Sequence, residues 1–158
     1  MDERSQRYLE TYLSQLPAQT RSQYTSFSSD YYCADKHNAD LCAQLVKTGQ
    51  KTATCSLAHW YLNEDEPMPE IGHLQVVTDW DGLPHCIIEI TQVETCRYCD
   101  VTSEFAAAEG EGDKTLRWWR EAHWAFFARE CEELGIDPNE EMPLILERFR
   151  VVYDVRFV

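Results

Sequence analysis

The order of apolar and polar positions divides the chain into helical and extended segments. Over residues 2–16, Tyr8, Leu9, Tyr12, Leu13 and Leu16 recur at helical spacing and Pro17 stops the pattern, which predicts an amphipathic helix. Residues 18–37 show no period. They are rich in Ser, Gln and Tyr and read as a connector whose aromatics Tyr24, Phe27, Tyr31 and Tyr32 either tuck against the core or, beside Arg21 and Lys36, stack on bases. Leu41, Cys42, Leu45 and Val46 then form one face of a second helix over 39–48, with Asn38 as its N-cap and Gly49 just past its end, where left-handed backbone costs glycine least.

From Lys51 to Leu57 the period changes to that of a strand. Thr52, Thr54 and Ser56 fall on one side and Lys51, Ala53, Cys55 and Leu57 on the other. Pro67 and Pro69 mark residues 64–72 as a loop, and Asp81-Gly82 joins the extended segments 73–79 and 84–96 into a hairpin. Thr102 caps a short helix through Phe105 to Glu109, ended by Gly110. Asp113 is the expected N-cap of a long helix over 114–134, with Leu116, Trp119, His123, Phe126, Phe127 and Leu134 as its apolar stripe and Gly135 at its end. Residues 143–158 alternate as a final strand. The elements add up to an α+β fold, a small and mostly antiparallel β-barrel flanked by helices. The length suits a single globular domain, in which residues 1–37 pack as a helix and connector on a domain formed by 38–158.

Composition narrows the setting. The chain opens on charged residues and has no run of 18 apolar ones, so neither secretion nor a helical membrane span is supported and a cytoplasmic location is expected. Its seven cysteines are scattered through apolar patterns, as in a reducing compartment, and Cys96-Arg97-Tyr98-Cys99 lacks the second pair that a zinc site would need. The formal charge of −14 is concentrated in the middle, where residues 61–113 carry thirteen acids against Arg97 alone. Such a field repels polyanions, so no DNA partner is expected, although the balanced ends leave room for a local basic groove.

The densest chemistry lies in Gly49-Gln50-Lys51-Thr52-Ala53-Thr54. A lysine desolvated in a cleft can act as a base, a threonine hydroxyl can attack an amide carbonyl, and a carboxyl can handle the leaving-group proton. Residues 51 and 54 would point to opposite faces of a regular strand, so their convergence requires Lys51 to lie in the turn after Gly49, or a bulge between them.

That segment is followed in order by Pro69-x-x-Gly72, Val76-Val77, Ile87-Ile88-Glu89, Ala106-x-x-Glu109-Gly110-Glu111-Gly112-Asp113, Trp119-Arg120-x-x-His123 and Phe126-Phe127. From about residue 38 onward the sequence therefore resembles the ASCH-domain family, in its longer bacterial branch. The resemblance implies a barrel related to the PUA fold, with a cleft beside the Gly-x-Lys-Thr-x-Thr segment. It also implies a role in binding or processing RNA or modified nucleosides. One branch consists of N4-acetylcytidine amidohydrolases, whose proposed triad falls on Lys51, Thr54 and Glu109 and needs no cofactor. Other long members are described as ribonucleases dependent on a divalent metal, for which only Lys51 carries over. A non-catalytic RNA- or nucleotide-binding module is the third reading, so the expected partner is a modified nucleoside or single-stranded RNA.

Thr52 and Ser56, beside the triad threonine, are candidate substrate contacts. Arg120 and His123 are i and i+3 on the long helix: Arg120 either holds a phosphate or carboxylate or pairs with Glu111 or Asp113, and His123 either faces the cleft or sits in the core. The acids Glu109, Glu111 and Asp113 read either as a metal site or as a turn and cap. The family's usual acid after the turn glycine is here His73, a position expected to brace the turn.

Overall fold

A computed structural model describes residues 1–154; the expected continuation of the last strand to Val158 lies outside them. The residues form two compact groups, one of residues 1–50, 69–91 and 149–154, the other of residues 51–68 and 92–148.

In the first group, α1 (Glu3–Ser14) starts where the Asp2 carboxylate accepts the Ser5 N–H at 2.8 Å. The segment read as a connector instead contains α2 (Ala18–Arg21) and a strand, β1 (Phe27–Asp30), which pairs in parallel with β3 (Leu74–Thr78). The local pattern does not reveal β1 because its order comes from the partner strand and from His73. The imidazole nitrogens Nδ1 and Nε2 lie 2.6 and 2.7 Å from the hydroxyls of Ser26 and Ser28. Helix α3 (Lys36–Lys47) begins earlier than expected, because Asp35 rather than Asn38 is its cap. β3 and the start of β4 (Pro84–Arg97) form the expected hairpin and are buried on both faces. Leu9 and Leu13 of α1 pack on Leu74, Val76 and Ile87, while Ala43 and Val46 of α3 pack with Val77, Cys86 and Ile88.

In the second group, β2 (Ala53–Leu57) pairs antiparallel with β5 (Pro143–Tyr153), in a register running from Ala53↔Arg148 to Leu57↔Leu144. A single turn, α4 (His59–Asn63), follows β2 directly. Helices α5 (Ser103–Glu109) and α6 (Leu116–Leu134) contribute Phe105, Ala106, Trp119 and Phe127 to a core that also holds Ala53, Leu57, Leu144 and Leu146. Thr115, not Asp113, caps α6; Asp113 instead accepts the Thr115 N–H and hydroxyl at 2.9 and 2.6 Å, so the expected cap belongs to the turn before the helix. In that turn a Cβ on Gly112 would fall 2.1 Å from the Trp118 ring.

The strands hydrogen-bond in the order β1-β3-β4-β5-β2. The α+β class and the largely antiparallel pairing agree with the sequence reading, but the barrel does not close. Closure requires the first and last strands of the order to pair, and here β1 and β2 are the two ends of an open sheet.

Candidate active site

Gly49 adopts φ +81° past the end of α3, and β2 begins only at Ala53, so Lys51 precedes the regular strand. Its ammonium lies 3.1 Å from Glu109 Oε1 and 3.1 Å from Glu111 Oε2. The Lys51 and Glu109 side chains are each only 2% exposed. A charge so desolvated persists only when paired, and the two carboxylates supply the pairing.

Glu109 is the last residue of α5, and its second oxygen is equally engaged. Oε2 accepts the Trp119 indole N–H in a very short contact, and lies 3.4 Å from the Cys55 thiol and 3.2 Å from His123 Nε2. Burial and the Glu109 charge push the Cys55 thiol well up, so it stays protonated and donates. His123 Nδ1 is 2.9 Å from the Trp119 carbonyl oxygen, which can only accept, so Nδ1 carries a proton. The His123 ring stacks on Trp119 with centroids 4.3 Å apart. Glu109 is thus a hub for Lys51, Cys55, Trp119 and His123.

The sequence-derived triad is brought together in part. Lys51 and Glu109 meet, whereas among the described residues no hydrogen bond joins Thr54 to either. Strand alternation explains this: Cys55 turns toward Glu109, so Thr54 and Ser56 project from the other face of β2. There Thr54 lies directly across from Glu147 of β5, and the Ser56 hydroxyl is 2.6 Å from the Tyr61 hydroxyl.

Thr52 is exposed and anchors the start of β2 to α5, its N–H and hydroxyl donating to the Ala108 carbonyl at 2.8 and 3.2 Å. Arg120 is exposed and, among the described residues, pairs with neither Glu111 nor Asp113; its carbonyl accepts the Tyr98 hydroxyl at 2.6 Å. Whereas Arg120 is exposed, His123 follows Trp119 into the buried cluster.

Three participants escaped the sequence reading: Cys55, Trp119 as a donor, and Glu147. Glu147 had a visible signal, an acid directly after Leu144-Ile145-Leu146 in an apolar strand. Burial pushes its carboxyl up to about 7, with the Lys51 charge acting in the opposite sense.

The three closely spaced acids do not form a common cage: Glu109 and Glu111 hold Lys51, and Asp113 holds Thr115. Donor atoms of Cys55, Glu109 and His123 do lie within 4.8 Å of one another. A thiol and an imidazole are poor ligands for the hard, oxygen-seeking cations of phosphoryl chemistry, and Glu109 Oε2 is already engaged by Trp119. The set fits a hydrogen-bonded cluster better than a magnesium-type site.

The sequence profile of the ASCH domain matches residues 28–153. The chain belongs to the ASCH family. It is 59% identical to an ASCH domain from Lactobacillus crispatus JV V101, whose crystal structure superposes with a TM-score of 0.95 over 97% of this chain and 96% of that one. Protein EF3133 from Enterococcus faecalis V583 is 27% identical, with a TM-score of 0.82 over 100% of this chain and 98% of the other. No curated protein matches the sequence. ASCH domains are associated with RNA binding in general. Among the described residues of this ASCH domain, no helix is long and apolar enough to cross a membrane.

Proposed function

We propose that this ASCH domain is a hydrolase that cleaves the amide of a modified nucleoside, with N4-acetylcytidine as the reference substrate. The observation that carries the reading is the buried Lys51–Glu109 pair, which joins two separate segments of the family pattern at 3.1 Å. The charge of −14 adds to it, since an acidic protein attracts a neutral nucleoside more readily than a polyanion.

In this reading Thr54 is the nucleophile, and Lys51, which among the described residues makes no hydrogen bond to Thr54 but whose charge reaches Glu147 directly across from it, supplies positive potential at the reacting centre. An ammonium held by two carboxylates has no lone pair with which to take a proton, so the role of base expected for Lys51 passes to another group. Glu109 holds Lys51 in place.

The family's association with RNA binding supports a second reading, a non-catalytic RNA-binding module. Both readings, and the metal-dependent ribonuclease, are tested by incubating the protein with N4-acetylcytidine and with single-stranded RNA, with and without divalent metal. Release of cytidine at a rate insensitive to salt supports the amidohydrolase. RNA binding that weakens steeply with salt, with no cytidine released, assigns the binding role instead. Metal-dependent cleavage of the RNA assigns the nuclease.

A further inference from the structure

We propose that Glu147 is the catalytic carboxyl that carries protons to and from Thr54, and that Glu109 is a positioning residue for Lys51. The inference rests on the amide-hydrolysis reading and reassigns the acid within it. Glu109 is buried and both of its oxygens are occupied, Oε1 by Lys51 and Oε2 by Trp119, Cys55 and His123. With its side chain only 2% exposed, neither oxygen is open to a substrate. Glu147 is the opposite case: it is partly accessible and, among the described residues, its carboxyl makes no hydrogen bond or ion pair.

Register then sets which carboxyl Thr54 can use. Thr54 and Glu147 are direct partners across the antiparallel β2–β5 pair, so their side chains leave the same face with Cβ atoms about 4.5–5.5 Å apart. The opposite face carries Ala53, Leu57, Leu144 and Leu146 into the core. The hydroxyl pair of Ser56 and Tyr61 continues the Thr54 face and offers hydrogen bonds to a polar ligand. The charged group that acts on Glu147 is Lys51; Glu147 in turn acts, with Glu66 and Glu130, on the Tyr61 hydroxyl of α4, whose pKa burial raises and these carboxyls raise further. A carboxyl held up to about 7 divides between its acid and base forms near neutral pH, as proton transfer in both directions requires.

The reaction balances with water as the only co-reactant. The Glu147 carboxylate takes the Thr54 hydroxyl proton as the oxygen bonds to the amide carbonyl carbon. The C–N bond then breaks, Glu147 passes that proton to the leaving nitrogen, and an acyl ester remains on Thr54. In the second half Glu147 takes a proton from water, the hydroxide attacks the ester carbonyl, the C–O bond to Thr54 breaks, and the proton returns to the threonine oxygen. The products are the free amine and the carboxylic acid.

The test compares kcat/KM for N4-acetylcytidine across pH in wild type and Glu147→Gln, with thermal melts to follow folding. Wild-type activity should rise with pH through about 7. The variant should fold, lose activity by about 10²–10⁴-fold, and lose that limb of the profile. A folded variant with the wild-type rate and limb would remove Glu147 while leaving the hydrolase reading intact. A variant that cannot fold would show Glu147 to be a structural partner and would also overturn the assignment. Wild-type protein that releases no cytidine at any pH would overturn the hydrolase reading and this inference together.

Discussion

Lys51 Nζ lies 3.1 Å from Glu109 Oε1 with both side chains almost fully buried, so removing the lysine strands a buried carboxylate. Lys51→Met should cost about 3–5 kcal/mol of stability in urea unfolding, as expected when one member of a buried ion pair is deleted. Adding Glu109→Gln to it should restore part of the loss, because the stranded carboxylate is then neutral. A loss of activity in a lysine variant therefore has to be read beside its unfolding curve.

Trp119→Phe keeps most of the ring volume in the core and removes the indole N–H that Glu109 Oε2 accepts. The expected cost is about 1–3 kcal/mol, the usual range for leaving a buried acceptor short of a partner. Chemical denaturation followed by far-UV circular dichroism would measure it. A variant as stable as wild type would show that His123 and Cys55 satisfy that oxygen unaided.

Burial lowers the His73 pKa below 6.5, so the folded chain binds this proton less readily than the unfolded chain. The stability that His73 contributes is present above pH 6.5 and is lost as pH falls from there toward its folded value. Thermal melts should show that loss in wild type and a flatter profile in His73→Gln. Losing the two serine contacts should also lower the variant's stability at pH 8 by about 1–3 kcal/mol.

Glu147 behaves with the opposite sign. Its folded pKa is raised from 4.5 to about 7, so the folded state is favoured where the carboxyl is protonated and loses stability as pH rises through that window. Glu147→Gln should therefore match wild type near pH 4 and exceed it above pH 7 by on the order of 1–3 kcal/mol in urea midpoints. Equal stability across the range would mean that water reaches the carboxylate freely.

The sequence was most legible where the forces are local. Thr102 caps α5, Gly110 and Gly135 end their helices in left-handed backbone, and Asp81-Gly82 turns the β3–β4 hairpin, each as its neighbours alone dictate. The pairing of Lys51 with Glu109 was legible only through the family resemblance, since nothing within a few residues of either announces it. β1 was missed because four residues of mixed polarity become a strand only beside β3 and His73.

The amino-acid order by itself determined the long helices α1, α3 and α6, the Thr102 cap and glycine end of α5, the hairpin and the alternation that separates Cys55 from Thr54 and Ser56, because these follow from backbone sterics and period. Only the tertiary structure decided how that alternation is used. It fills both oxygens of Glu109 from segments as distant in sequence as Cys55 and His123, leaves the sheet open between β1 and β2, and sets Glu147 across from Thr54. Strand register and the desolvation of a carboxyl are properties of the assembled chain, since each depends on partners remote in sequence.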